Sequence, residues 1–191
     1  MKKAYHHGNL KQELIEQGIK MVQQEGIEKL SLRRLATQVG VSEAAPYSHF
    51  ANKNELLQAM QGHVTEQLMK CLQRAVANTD APDSTDAVLN MGKAYVLFFM
   101  ENPAYYGFLF AHGDIRIDLS MKENEENYPP FQYYRDMAYR VYRKEGFSEE
   151  RIKYGVVAMW AKVHGIAAIT SMKYVTKDFK WEEVLEEILV E

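Results

Sequence analysis

Leu30–Met60, LSLRRLATQVGVSEAAPYSHFANKNELLQAM, decides the fold of this 191-residue chain, because its caps and stops spell two short helices, a tight turn and the start of a third. Ser31 is placed to cap a helix running to about Val39, its hydroxyl meeting a first-turn N–H that has no helical partner. Gly40 ends that helix, since glycine enters the left-handed conformation without a Cβ penalty. Ser42 is expected to cap a second helix from Glu43 to about Phe50. At ~1.5 Å per residue such a helix is about 12 Å long, close to the width of a DNA major groove. Pro46 falls early enough in it to be tolerated. Asn52 opens the third helix, with Glu55 three residues on as in a capping box and Leu56, Leu57 and Met60 as its apolar stripe. Leu32, Leu35, Val39, Val41, Tyr47 and Phe50 are expected to form a small core, and Ala36 leaves the helices room to cross. The pattern is that of a helix-turn-helix, the alternative being an ordinary hairpin in an all-α domain.

A helix from about Asn9 to Glu25 precedes this unit, with Leu10, Leu14, Met21 and Val22 on its buried face, Asn9 and Gln12 at its cap and Gly26 at its end. The whole chain carries a net charge of −3, but it is unevenly spread. Residues 1–60 hold eight Lys and Arg against six Glu, so the first third is mildly basic and the remainder acidic. With 47% hydrophobic residues the chain can bury a sizeable core. The lone Cys71 excludes an internal disulfide framework, and Lys2 and Lys3 are not followed by an apolar signal segment, which points to the cytoplasm. No stretch approaches the ~18 uninterrupted apolar residues of a membrane span, so no membrane partner is expected.

Three runs carry a family resemblance: Leu30-Ser-Leu-Arg-Arg-Leu-Ala, Gly40-Val-Ser, and Pro46-Tyr-Ser-His-Phe followed by Asn52-Lys-Asn-Glu-Leu-Leu. Together they resemble the DNA-binding segment of the TetR/AcrR bacterial transcriptional regulators, over roughly the first third of the chain. The resemblance implies double-stranded DNA as a partner and Tyr47, His49 and Lys53 as phosphate contacts. The alternatives are a core aromatic for Tyr47, a packed or capping role for His49 and a solvated charge for Lys53. Ser31, Arg33 and Ser42 sit at helix starts, where phosphate contacts are common. The reading helix lacks Arg, Lys, Asn and Gln, the side chains that pair twice with guanine or adenine. Base readout is left to Glu43 for a cytosine amine, Ala44 and Ala45 for thymine methyls and Ser48 as an adaptable partner, with Arg33 or Arg34 adding discrimination from the preceding helix.

Beyond Met60 the periodicity stays helical, with helices expected at about 53–78, 84–101, 103–112, 129–145, 149–174 and 180–190. The fold class is therefore all-α, a helix-turn-helix domain over 1–52 joined to a helical effector-binding and dimerisation domain over 53–191. Aromatic and Met residues crowd this body, and they suit an apolar or aromatic small molecule as well as ordinary packing. The expected pocket comprises Phe98, Phe99, Tyr105, Phe108, Phe131, Tyr134, Met137, Trp160 and His164. His63 and His112 are further candidates for polar groups near a ligand. Trp160-Ala-Lys-Val-His-Gly165 resembles the Trp…His-Gly signature of one subgroup of the family.

Ala158, Ala161, Gly165 and Ala168 form a small-residue stripe, and Trp181, Val184, Leu185, Ile188 and Leu189 an apolar face on the last helix. By resemblance these helices form a four-helix interface in a homodimer; otherwise both stripes close the core of one chain. No cofactor or metal site is expected, His6-His7 being too local to hold an ion. A catalytic constellation at persuasive spacing is likewise missing, so the rival functions are a helical small-molecule carrier or an enzyme without a DNA role.

Overall fold

The computed structural model describes residues 10–122 and 126–190, and every regular element among them is helical. The expected cap at Asn9 lies outside those residues. Two compact units account for the chain: one runs to Val64 and includes Gly107–Gly113, and the other holds the rest from Thr65 onward.

In the first unit, α1 (Leu10–Glu25) buries Leu14, Ile15, Gly18, Ile19, Met21 and Val22 along one face. At Gly18 an added Cβ would come within 3.0 Å of the Met60 sulfur, so the glycine is what lets α1 and α3 (Lys53–Ala77) close on each other. The start of α2 (Leu32–Val39) is fixed by Ser31, whose Oγ accepts the Arg34 N–H at 3.3 Å. Gly40 stops it at φ 81° and donates its own N–H to the Ala36 carbonyl. For α3 the Asn52 side chain accepts the Glu55 N–H at 3.0 Å, while the Glu55 carboxylate reaches the Ala51 N–H at 2.6 Å. The reciprocal bond of this capping box thus lands one residue before Asn52.

The second unit contains α4 (Thr85–Glu101), α6 (Pro129–Lys144), α7 (Glu149–Thr170) and α8 (Trp181–Val190), and shares α5 (Pro103–His112) with the first. Ser84 and Ser148 cap α4 and α7 through the Ala87 and Arg151 N–H groups. The Asn102 amide closes α4 on the Phe98 carbonyl, and Pro103 starts the next helix in a new direction. Gly146, at φ 82°, ends the turn after α6. Helix α7 stops four residues short of the expected 174.

Packing in this unit centres on α4, which contacts α6, α7 and α8. Gly92 eases the approach, since a Cβ there would lie 3.3 Å from Val163, tighter than usual, and 3.5 Å from Leu189, in ordinary contact. Trp181, Leu185 and Leu189 are buried within their own chain, where α8 packs on α4. The apolar stripe of α8 is thus covered from inside, as in the alternative in which both stripes close the core of one chain, and each buried Leu contributes about 1.5–3 kcal/mol there. The loop before α6 is pinned by two buried polar residues. Asn127 accepts the Asp118 N–H at 2.9 Å, and Arg135 donates to the Lys122 carbonyl at 2.9 Å. No helix among the described residues is long and apolar enough to cross a membrane.

Candidate functional site

The main departure from the sequence reading lies at the centre of the helix-turn-helix. Ala45–Ser48 is a 3-10 turn, where an α-helix from Glu43 to Phe50 was expected. An α-helix would need residue 46 to donate to the Ser42 carbonyl, and Pro46 has no N–H. The Ala45 N–H takes that carbonyl instead, at 3.0 Å, and the same three-residue pattern recurs from Tyr47 to Ala44 and from His49 to Pro46. The Ser42 hydroxyl makes no cap, again contrary to expectation: the cap position is Ala44, and Ser42 joins the turn through its carbonyl. Pro46 and Phe50 fill the inward positions, and Tyr47 is 49% exposed instead of joining the core. Val39 and Val41 are half-buried.

The outward surface of the motif carries Arg33, Ser42, Glu43, Ala44, Tyr47 and Ser48, with Ala45 and His49 half-buried. Arg33 lies 3.7 Å from the Glu43 carboxylate across the turn, both side chains being highly exposed. Arg34 is held differently: its guanidinium donates to the Lys29 carbonyl at 2.9 Å and pairs with Glu25 at 2.6 Å. Lys53 donates to the Ile27 carbonyl at 2.6 Å, and the Ser48 hydroxyl to the Ala45 carbonyl at 2.7 Å. His63 belongs to this unit as well, 2.7 Å from the Glu16 carboxylate and 3.1 Å from the Gln12 amide. It ties α3 to α1, and His112 is exposed.

In the second unit a narrow cavity of about 10 Å³ opens between α3, α4, α6 and α7, lined by Leu72, Met91, Gly92, Tyr95, Tyr134, Met159, Trp160 and Val163. Such a volume holds about one water. Of the residues expected to line a pocket, Tyr134 and Trp160 do so. Phe131 and His164 stand directly behind Trp160, the first edge-on at 4.9 Å between ring centres and the second stacked at 5.8 Å. Phe99 packs on Tyr95, while Phe98 and Tyr105 pair with each other beyond Phe99. Met137 is buried on α6, and Phe108 falls in the segment that belongs to the first unit.

Two tyrosines of the aromatic body that fall outside the expected pocket set, Tyr95 and Tyr106, meet His164. The Tyr95 hydroxyl lies 3.0 Å from His164 Nδ1 and the Tyr106 hydroxyl 3.2 Å from Nε2, so the imidazole is held at both nitrogens. Burial lowers the His164 pKa below its ordinary 6.5, which leaves the ring neutral near pH 7. Burial, reinforced by the neighbouring Tyr128 and Tyr106, raises the Tyr95 pKa well above 10. No charged side chain lines the cavity. The cavity itself is therefore an apolar, ring-walled slot, and the neutral hydrogen-bonded cluster of Tyr95, Tyr106 and His164 lies behind its Trp160 wall.

Comparison with known proteins places these two units. Residues 14–60 match the model described as "Bacterial regulatory proteins, tetR family", and residues 88–191 the model described as "Tetracyclin repressor-like, C-terminal domain". The nicotine-responsive transcriptional repressor HdnoR of Paenarthrobacter nicotinovorans is 34% identical over 70 residues, 37% of this chain and 36% of that protein. The nucleoid occlusion factor SlmA of Vibrio campbellii is 29% identical over 105 residues, 54% of this chain and 53% of that protein. The chain thus spans about half or less of the curated relatives it matches. Among solved structures, the TetR family regulator PfmR of Thermus thermophilus superposes with a TM-score of 0.66 at 19% identity, covering 93% of this chain and 97% of its own, which speaks to the fold. With a helix-turn-helix of the family's type at one end and its C-terminal domain over more than half the length, this chain belongs to the TetR family of bacterial regulatory proteins.

Proposed function

We propose that the chain works in the cytoplasm as a homodimeric repressor, released from a near-palindromic operator when a small apolar or aromatic molecule enters its body. The single observation that carries the reading is the Ser42–His49 turn, which buries Pro46 and Phe50 and turns Tyr47, Ser48 and Glu43 outward together. Residues 1–52 are assigned the DNA role and 53–191 the effector and dimer roles. Tyr47, His49 and Lys53 hold phosphates, with Ser31, Arg33 and Ser42 beside them. Glu43, Ala44, Ala45 and Ser48 face the bases. Arg34, engaged by Glu25 and the Lys29 carbonyl, positions α2, and Arg33 is the arginine free to exchange Glu43 for a base edge.

Dimerisation is assigned to the outer face of α7. Ala158 and Ala161 are exposed there, and Tyr154 and Ile169 extend the same stripe. Gly165, Ala168 and Ile188 are half-buried at its margin. Small side chains let a second α7 approach closely, as a two-fold interface requires. Two reading turns then meet half-sites one helical repeat, or a simple multiple, apart. An effector that favours the non-binding shape by roughly 1–3 kcal/mol weakens DNA binding about 5–150-fold. The chain is read as a regulator without catalytic activity, because the polar groups at its cavity are neutral and bonded to one another.

The test is selection of duplexes from a random pool by the purified chain, followed by salt titration on the winner. A near-palindromic consensus with affinity falling steeply in salt is the expected result, and Tyr47→Phe should weaken it several-fold through a lost phosphate bond of about 1 kcal/mol. Recovery of no consensus would falsify the DNA role. Light scattering that shows only a species near 22 kDa at micromolar concentration removes the dimer.

A further inference from the structure

We propose that the effector is a neutral aromatic molecule bearing one hydroxyl, seated beside Trp160 with its oxygen on His164 in the place of the Tyr106 phenol. The proposal rests on the reading above that the body answers to a small molecule.

Charge is the first constraint. The slot is lined by Leu, Met, Val, Gly and aromatic side chains, with no carboxylate, ammonium or guanidinium among them. A buried ion without a partner is strongly disfavoured, and the burial that keeps His164 neutral opposes a ligand ammonium in the same way. The second constraint is shape. Trp160 meets Tyr95 edge-on at 5.2 Å, Phe131 edge-on at 4.9 Å and Tyr134 in a tilted stack at 6.3 Å, so an added ring finds both faces and edges to pack on. Met91 and Met159 are among the residues lining the cavity of about 10 Å³, and unbranched thioethers adapt readily to irregular shapes.

Hydrogen-bond accounting supplies the hydroxyl. A neutral imidazole has one donor and one acceptor nitrogen, and Tyr95 and Tyr106 take one each. Tyr95 is sealed in the core at 2% exposure, whereas Tyr106 is half-buried and is the one that can leave. The group that replaces it must suit Nε2 in whichever tautomer Tyr95 imposes on the other nitrogen. A hydroxyl does so in both cases, because it donates and accepts, while a ketone or ether only accepts. Tyr106 also donates to the His164 carbonyl at 3.5 Å, and an incoming phenol that takes over both bonds keeps the cost of the exchange low.

Calorimetric titration of the full chain with phenol, toluene, benzylammonium and benzoate tests the proposal. Saturable binding of phenol about tenfold tighter than toluene is expected, the worth of one good hydrogen bond, with no saturation by either ion. Tyr106→Phe removes the internal competitor and should tighten phenol severalfold, the opposite of what loss of a purely structural bond would do. His164→Phe should bring the phenol-to-toluene ratio to about one, with near-ultraviolet circular dichroism showing the fold retained. Toluene binding as well as phenol, saturation by benzylammonium, or phenol binding unchanged or weakened in Tyr106→Phe overturns it, and so does an absence of phenol binding. Selection of an operator by the same preparation reads out independently. A chain that finds its operator but ignores phenol loses only the ligand class, and one that binds phenol but no duplex loses the regulator.

Discussion

The two units solve opposite problems with their polar side chains. In the first, Arg33, Glu43 and Tyr47 stand out from the motif, and the backbone beneath them is held by local bonds from Ser31, Asn52 and Gly40. In the second, hydroxyls and an imidazole are drawn inside, where Tyr95, Tyr106 and His164 satisfy one another against a wall of rings. A surface meant to meet another molecule's charges must keep its polar groups outward and its frame cheap to hold. A helical body built around a ring-lined core hides them and relies on packing.

The sharpest way to break this contrast is to remove one ring from each unit. Phe131 is fully buried against Trp160 and Tyr134, so Phe131→Ala should cost about 3–5 kcal/mol in urea unfolding. Tyr47→Ala takes away a half-exposed ring and should change stability by about 0.5 kcal/mol or less, while DNA affinity falls. Equal losses of stability in the two variants would mean that Tyr47 is a core residue after all.

A smaller effect separates the two regions by pH. Burial depresses the His164 pKa in the folded chain, so the unfolded chain takes up the proton first as pH falls. The neutral ring's contribution is therefore complete above the ordinary histidine pKa of 6.5 and is lost progressively as pH drops below it. Stability measured from pH 7.5 to 5 should decline more steeply in the native chain than in His164→Phe. Parallel curves would show that the ring is as easily protonated in the folded chain as in the unfolded one.

What the sequence made legible follows the same division. Helix starts and stops at Ser31, Gly40, Ser84, Asn102 and Ser148 are local chemistry, decided by residues within four positions, and the structure has them where spacing puts them. The polar cluster of the body depends on Tyr95 and Tyr106 meeting His164 across 69 and 58 residues, and no periodicity encodes such a meeting. The face of α8 teaches a related lesson. Its apolar stripe announces that something covers it, and only the packing in three dimensions shows that the cover is α4 of the same chain. Pro46 is a local signal that outweighs the helical pattern around it, since a proline four residues after Ser42 forbids the first bond of the α-helix expected there.

That reading of Pro46 yields the smallest energetic effect and the most direct structural one. Pro46→Ala gives the unfolded chain more freedom, which destabilises by about 0.4–1 kcal/mol, and restores an N–H that can donate to the Ser42 carbonyl, which returns about 0.5–1.5 kcal/mol. The two nearly cancel, so stability should move by less than about 1 kcal/mol. The geometry should not stay put. With the Ser42 carbonyl taken by position 46, the Ala45 N–H loses the partner it now has at 3.0 Å, the turn relaxes toward an α-helix, and Tyr47 rotates relative to Ser48 and His49. Hydrogen exchange should find the new amide protected, and operator affinity should fall more than stability does. A freely exchanging amide beside unchanged DNA binding would mean that packing of Phe50, and not the missing N–H, sets the tightness of the turn.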